Sequence, residues 1–387
     1  MSLLPRNALL EQVRERLRNS PVALLLGPRQ CGKTTIAREI AAASKPVHFF
    51  DMERPADQAR LEQPMTALEP LLGLVVIDEA QMRPDLFPIL RVLADRENLP
   101  ARFLLSGSAS PELVQGSSES LAGRVALIQM TGFTLDEVGG DRMRELWLRG
   151  GFPKSFLAES DRESAAWRED FVQLFVERDL RRFGVQIPAA EMRRFWTMLA
   201  HYHGQIWNGA EIGRSLGETN AAIRRRLDVL SGAFMVRQLQ PWFENAGKRV
   251  VKSPKVYIRD SGLLHSLLGV TEFTGLESHP KLGASWEGFV MEQLLSRFGD
   301  RHAYFWATHG GAELDLLFII DGKRFGVEIK YADAPAMTKS MHVALRDLGL
   351  EHLWVVYPGK DVYAVDERVT VLPMTEMRQI ASNYPTA

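Results

Sequence analysis

The chain has 387 residues, 45% apolar and 25% charged, with a formal net charge of -1. That balance describes a globular protein of two or three domains and excludes a polycation that grips nucleic acid over its whole surface; any such contact must be a local patch. The single cysteine, Cys31, excludes an internal disulfide, no run reaches the ~18 apolar residues of a spanning helix, and the opening residues lack the apolar core of a signal peptide, so a cytoplasmic protein is expected.

Residues 22–26, Val-Ala-Leu-Leu-Leu, predict a strand buried on both faces. It runs into Gly27-Pro28-Arg29-Gln30-Cys31-Gly32-Lys33-Thr34-Thr35, a full match to G-x-x-x-x-G-K-[ST]. Glycines let backbone N–H groups wrap phosphates, and a helix N-terminus faces the negative charge. Lys33 is placed to reach the β- and γ-phosphates of ATP, and the Thr34 hydroxyl to ligate Mg2+. Leu74 to Glu79 reads as a second buried strand ending in two carboxylates. Asp78 is expected to hold Mg2+ through water, and Glu79 to polarise the attacking water. A third strand, Arg102 to Leu105, enters Ser106-Gly107-Ser108-Ala109-Ser110. Ser106 or Ser108 reads either as a γ-phosphate contact or as part of a serine-rich turn. Arg124 is a candidate arginine finger for a neighbouring subunit's site or an ordinary surface arginine, and Arg29 is a second candidate phosphate contact.

Arg149-Gly150-Gly151-Phe152-Pro153 breaks a helical stretch and sets the expected end of the ATPase segment at residue 150. Met192, Phe195, Trp196, Leu199 and Tyr202 then recur at helical spacing. A short helix near 210–216, a turn over Gly217 to Asn220, a helix with Ile223, Leu227 and Leu230 inward, and strand-like stretches at 233–239 and 249–258 follow in the order of a winged helix. Residues 191–260 hold 12 Lys/Arg and 6 Asp/Glu. Arg224, Arg225 and Arg226, with Lys248 and Arg249, are the expected contacts to a DNA backbone; a helical adaptor with a solvated basic face is the alternative.

In the last hundred residues, Ser285 to Phe298 predicts a helix that carries Glu287 on its apolar face, where a carboxylate asks for a partner or a metal. Ala312 to Ile320 and Lys323 to Tyr331 predict a hairpin about Asp321-Gly322. Its register sets Asp315 opposite Glu328 and Glu313 opposite Lys330, with Cβ atoms ~5 Å apart. Opposed carboxylates call for a hard cation, Mg2+ or Mn2+, at Asp315 and Glu328. Lys330, on the face of Glu328, is placed to orient a water or to balance charge developing on a phosphate. The order of helix Glu287, Asp315, then Glu328-x-Lys330 resembles that of PD-(D/E)XK nuclease folds. An inactive relative, or a hairpin with ordinary cross-strand ion pairs, would show much the same residues.

Taken together, the chain resembles bacterial and archaeal AAA+ ATPases that join an ATPase domain to a winged-helix-like segment and a PD-(D/E)XK-like domain. The carriers are Gly27 to Thr35, Val75 to Glu79, Leu104 to Ser110, Leu121 to Arg124 and Arg149 to Pro153, then Glu177 to Leu180, Arg259 to Leu263, Trp286-Glu287 and Val327 to Lys330. The resemblance implies an α/β fold in three domains: a P-loop ATPase over 1–150, a helical and winged-helix-like domain over 151–270 and a nuclease-like domain over 271–387. It implies ATP hydrolysis, a ring-like homo-oligomer (a hexamer first) and work on DNA, with no membrane partner and no small-molecule substrate beyond ATP. The sensor asparagine and a clear second sensor arginine are missing. The alternatives are a nucleotide-switched scaffold whose nuclease-like domain only binds, and a protein-remodelling ATPase.

Overall fold

Val22–Gly27 forms β1, and all of its residues are buried. Val22, Leu24 and Leu26 pack into one apolar cluster and Ala23 and Leu25 into another, because alternate side chains leave opposite faces of a strand. A strand apolar on both faces is stable only in the middle of a sheet covered on both sides, each buried leucine contributing about 1.5–3 kcal/mol. The computed structural model describes residues 4–108, 121–182, 186–243 and 251–382. Its two compact units are Met1–Gly132 with Gly232–Phe234, and Phe133–Ser231 with Met235–Ala387.

In the first unit, β1 is joined by β2 (Val47–Asp51), β3 (Gly73–Asp78), β4 (Ala101–Ser108) and β5 (Val125–Gln129) in a wholly parallel sheet of order β2-β3-β4-β1-β5. Helices α1 (Asn7–Asn19) and α2 (Lys33–Ala42) cover one face through Leu10, Val13, Leu17, Ile36 and Ile40. Helix α3 (Leu86–Ala94) covers the other through Leu86, Phe87, Leu90 and Leu93. This is the α/β P-loop architecture that the motifs predict.

The second unit includes α4 (Met143–Arg149) and α5 (Asp161–Leu174), so the break at Arg149 to Pro153 lies inside it. Next come α6 (Ala189–His201), β6 (Gln205–Ile206), α7 (Gly209–Leu216), α8 (Asn220–Gly232), β7 (Val236–Leu239) and β8 (Lys255–Ile258). The three strands form an antiparallel sheet in the order β6-β8-β7. Helices α9 (Ser261–Leu267) and α10 (Leu282–Phe298) lead to a six-stranded mixed sheet of β9 (Ala303–Ala307), β10 (Glu313–Ile320), β11 (Lys323–Ile329), β12 (His352–Tyr357), β13 (Tyr363–Asp366) and β14 (Val369–Pro373). Its order is β13-β14-β12-β11-β10-β9, with α11 (Lys339–Leu348) making the crossover between the parallel strands β11 and β12. Among the described residues no helix is long and apolar enough to cross a membrane.

The hairpin register is the one expected from the sequence. Asp321 and Gly322 have φ of 49° and 77°, the positive values a two-residue hairpin turn demands. Pairing then runs from Ile320↔Lys323 back to Leu316↔Val327, with Asp315 and Glu328 the next residues along. On its other edge β10 carries a bulge. Leu314 pairs with Trp306 and Leu317 with Tyr304, so β10 has one residue more than β9 across the stretch that holds Asp315. Bulges of this kind re-aim a side chain beside a functional site.

Candidate functional site

Gly27 to Thr35 connects β1 to α2 at the carboxyl edge of the first sheet, where parallel sheets carry their ligands. Gln30 and Gly32 have φ of 63° and 101°, left-handed values that turn backbone N–H groups toward one concavity. A Cβ on Gly27 would lie 2.5 Å from the Met130 carbonyl oxygen, so the chain tolerates only glycine there. Lys33 is buried, its Nζ donating to the carbonyl oxygens of Pro28 at 2.8 Å and Gly27 at 3.1 Å. Its ammonium thus lies over the loop it serves. Thr34 and Thr35 follow, half-buried, in the first turn of α2. Cys31 packs into the apolar cluster of α1 and α2, so its contribution to the loop is its backbone. Arg29 reaches Glu53 at 3.6 Å, just beyond β2.

Asp78 closes β3 and is buried. Its Oδ1 accepts from the Glu79 N–H at 3.2 Å and, in a short contact, from the Ser106 hydroxyl. Strand β4 lies between β3 and β1, and Ser108 is in register with Gly27. Of the two candidate serines, Ser106 is therefore committed to Asp78. Ser108 is buried with its Oγ unpartnered among the described residues. Glu79 sits at φ 55°, ψ 42°, a left-handed conformation that L-residues rarely adopt and that clusters at functional sites. Burial pushes its carboxyl above the usual range, against the opposing hydrogen bond from Gln81 and the charge of Lys33. A raised carboxyl is better matched to accepting a proton from water.

Arg124 is not brought to this loop. Its carbonyl accepts from Val22 N–H, at the start of β1 and so about 16 Å of strand before Gly27. Asp95 holds its guanidinium through Nε at 2.5 Å and Nη2 at 2.8 Å.

In the second unit the structure gathers Glu287, Asp315, Glu328 and Lys330, and adds a residue that sequence reasoning missed. Lys255, 3% exposed, places its Nζ 3.0 Å from Glu287 Oε1 and 3.5 Å from Asp315 Oδ1, with a short contact to Glu313. Tyr257, two residues along β8 and on the same face, donates to Glu287 Oε1 at 2.6 Å. The side chains of Glu313 and Lys330, opposite each other in the expected hairpin register, take different partners. Glu313 turns to Lys255, and Lys330 Nζ instead pairs with Glu328 Oε1 at 2.6 Å. Asp315 Oδ2 accepts from the Ile329 N–H at 2.9 Å. Glu328 Oε2 is buried and has no hydrogen-bond partner among the described residues. The only signal of Lys255 in the sequence was a lysine inside an apolar strand, Lys-Val-Tyr-Ile, all four residues of which are buried.

Burial dominates the titration of this centre. It would lower Lys255, but Tyr257, Glu287, Asp315 and Glu313 hold the ammonium well above the usual lysine value. Burial and the charge of Asp315 raise Glu287, against Lys255 and Tyr257. Burial, then Asp315, pushes Glu328 up to about 8 despite Lys330. Among the described residues no group of three His, Cys, Asp or Glu converges to hold a metal ion. The geometric reason is that the Glu287 and Asp315 carboxylates face the Lys255 ammonium. Asp315 and Glu328 remain as a two-carboxylate set of hard oxygens, and the orphaned Glu328 Oε2 fits a cation there.

Comparison with known proteins agrees with the first site. Residues 19–139 match the AAA domain; residues 140–274 and 282–377 match two domains of unknown function, DUF8612 and DUF4143. The uncharacterized proteins Rv2008c of Mycobacterium tuberculosis and Mb2031c of Mycobacterium bovis are each 52% identical over 375 residues, spanning 97% of this chain and 85% of theirs. The chain belongs to their family and is an AAA-type ATPase. The Walker-type ATPase PABY2304 of Pyrococcus abyssi is similar in fold, with a TM-score of 0.51 at 15% identity over 69% of this chain and 96% of that one. A P-loop ATPase of this kind takes a nucleotide and, as a rule, Mg2+.

The residues expected to touch DNA fare unevenly in the ATPase. Arg225 is exposed on α8. Arg224 is exposed and pairs with Asp228 at 3.2 Å. Arg226 is a correction: it is buried on the inward side of α8, held by Glu191 at 2.6 Å and Glu218 at 2.7 Å. Three consecutive residues on a helix span about 200°, so one of them must turn toward the core. Lys248 and Arg249 lie outside the described residues.

Proposed function

We propose that the protein couples ATP hydrolysis to the binding and processing of DNA, branched or forked DNA among its substrates, with a metal-dependent phosphodiester-cleaving centre in its carboxyl-terminal part. The observation that carries this reading is the orphaned, buried Glu328 Oε2 beside Asp315, with Lys330 adjacent, on a hairpin flanked by helices. The order α10, β9-β10-β11, α11, β12 supports a PD-(D/E)XK-like fold. The order α6, β6, α7, α8, β7, β8 with an antiparallel three-stranded sheet supports a winged helix. The excess of basic residues between 191 and 260, with Arg225 on its surface, supports contact with a phosphate backbone.

In the ATPase site, the backbone N–H groups of the Gly27 to Thr35 loop, Pro28 excepted, and the Lys33 ammonium bind the phosphates, Thr34 and Asp78 would hold Mg2+, and Glu79 takes the proton of the attacking water. Ser108, whose buried hydroxyl is unpartnered among the described residues, would contact the γ-phosphate, and Arg29 would reach the phosphates. In the carboxyl-terminal centre Asp315 and Glu328 would hold a divalent ion, which when bound supplies Lewis-acid polarisation of a phosphoryl oxygen. Lys330 stands beside Glu328, placed to stabilise negative charge on the phosphate. Arg124, at the sheet edge away from its own P-loop, suits a role in a neighbouring subunit of a ring, a hexamer by preference, once released from Asp95.

The test is the ATPase rate with single-stranded, duplex and forked DNA in Mg2+ and in Mn2+, with product lengths read from the same reactions. Stimulation by DNA, and shortened products lost in Asp315→Asn and Glu328→Gln, are expected. Cutting that persists in both variants refutes the site. The Lys255 ammonium among the carboxylates favours a second reading, a nucleotide-switched scaffold whose carboxyl-terminal part binds without cleaving. That reading predicts neither stimulation nor cutting.

A further inference from the structure

The acidic centre of the second unit has more negative than positive charge. Glu287, Glu313, Asp315 and Glu328 surround two ammonium groups, Lys255 and Lys330. The two lysines differ in origin and burial. Lys330 lies on the hairpin itself and is 39% exposed at its side chain; Lys255 comes from the three-stranded sheet and is 3% exposed. The segments that flank its sheet, just after β7 and ahead of β8, are held against β9 of the six-stranded sheet. Phe305 N–H donates to Gln240 carbonyl at 3.0 Å, Trp242 N–H to Phe305 carbonyl at 2.7 Å, and Val251 N–H to Ala307 carbonyl at 3.0 Å. The Lys255 ammonium is thus a fixed part of the centre and not a surface side chain that happens to reach it.

We propose that Lys255 is a built-in cation that sets the metal stoichiometry of this centre at one. It fills the position between Glu287, Glu313 and Asp315 that a second divalent ion would otherwise take, leaving a single ion site at Asp315 and Glu328. The inference rests on the reading of that pair as a metal site and specifies what the pair will accept. Two observations carry it. Glu287 Oε1 is already satisfied twice, by Lys255 at 3.0 Å and by Tyr257 at 2.6 Å. Among the described residues, the buried carboxylate oxygen of the centre that lacks a hydrogen-bond partner is Glu328 Oε2, not an oxygen of the Lys255 cluster. A divalent ion placed beside Lys255 would meet like charge at close range in a poorly solvated site, which costs more than its carboxylates return. An ion at Asp315 and Glu328 would be held by two hard carboxylates, the ligand set from which magnesium is usually bound while keeping several of its own waters. Glu287 is on this view a positioning residue that orients Lys255, and Tyr257 secures it.

The experiment is a Mn2+ titration of the nucleotide-free full chain, by equilibrium dialysis with electron paramagnetic resonance of the free ion. Glu328→Gln marks the ions that belong to the centre. Wild type is expected to bind one Mn2+ that Glu328→Gln loses. Lys255→Met is expected to bind a second Mn2+, or the first at least about tenfold more tightly, because the competing charge is gone. Glu287→Gln keeps one Mn2+, which tests the proposal without relying on the folding of the Lys255 variant. Unchanged binding in Lys255→Met, or loss of the ion in Glu287→Gln, overturns the role of Lys255 while leaving the metal site intact. If neither wild type nor Lys255→Met binds an ion that Glu328→Gln removes, the metal-site reading itself fails.

Discussion

His265 offers a sharp test of the packing that supports the carboxyl-terminal centre. It is fully buried, with Nδ1 3.0 Å from the Leu148 carbonyl oxygen and Nε2 2.7 Å from Ser285 Oγ. Trp147 Nε1–H donates to the same Oγ at 2.9 Å. The carbonyl can only accept, so Nδ1 carries the proton, and the serine hydroxyl, accepting from Trp147, donates to Nε2. No position is left for a second proton, and burial lowers the imidazole to about 3. Unfolded, the same side chain titrates near 6.5. A folded value below the unfolded one gives stability that is complete above about 6.5 and is lost as pH falls toward 3. Between pH 7.5 and 5.5 the loss is about 1.4 kcal/mol for this one residue. The assay is urea unfolding of wild type and His265→Gln at the two pH values. Glu328, raised to about 8, shifts stability in the opposite direction over this range, but equally in both proteins, and cancels in the difference. The variant will be less stable at both pH values, yet its stability should fall by about 1.4 kcal/mol less across the interval. An identical pH dependence in the two proteins refutes the neutral, doubly bonded imidazole.

Further outcomes follow from the two sites. Glu79→Gln should lower ATP turnover by about 10²–10⁴-fold while leaving nucleotide affinity within a few-fold, measured by phosphate release and a fluorescent ATP analogue. Gly27→Ala should cost about 1–3 kcal/mol in chemical denaturation and weaken ATP binding, since the new methyl group meets the Met130 carbonyl; full stability would show that the loop can move aside. Arg226→Leu should destabilise by about 1–2 kcal/mol, less than for a fully buried pair because Glu191 and Glu218 are part-exposed. Arg225→Ala should stay within about 0.5 kcal/mol and reduce DNA affinity at low salt. If the two variants weaken DNA binding equally at matched stability, the inward placement of Arg226 is wrong.

How much could be read in advance varied with the range of the interaction. The P-loop needs one unbroken stretch, Gly27 to Thr35, in which glycine positions, lysine and threonine are a local chemical requirement. The same holds for the Asp321-Gly322 turn, which sets the hairpin register and with it the neighbourhood of Asp315 and Glu328. Glu287 was identified from helical spacing as a carboxylate in need of a partner, but the kind of partner was not visible. It proved to be an ammonium and a phenol 32 and 30 residues earlier in the chain.

The amino-acid sequence by itself determined an α/β phosphate-binding unit, the carboxylates that serve it, and a hairpin that brings two more carboxylates together. Each is encoded in periodicity or in a short motif, where neighbours in the chain are neighbours in space. Only the tertiary structure decided that Ser106 is committed to Asp78 while Ser108 is left unpartnered, and that Arg226 faces inward. It also decided that Arg124 stands at the sheet edge away from its own P-loop, and that Lys255 lies between Glu287 and Asp315. Those outcomes depend on which strands become neighbours and which side chains they bury together, and a buried charge takes whatever opposite charge the fold carries to it.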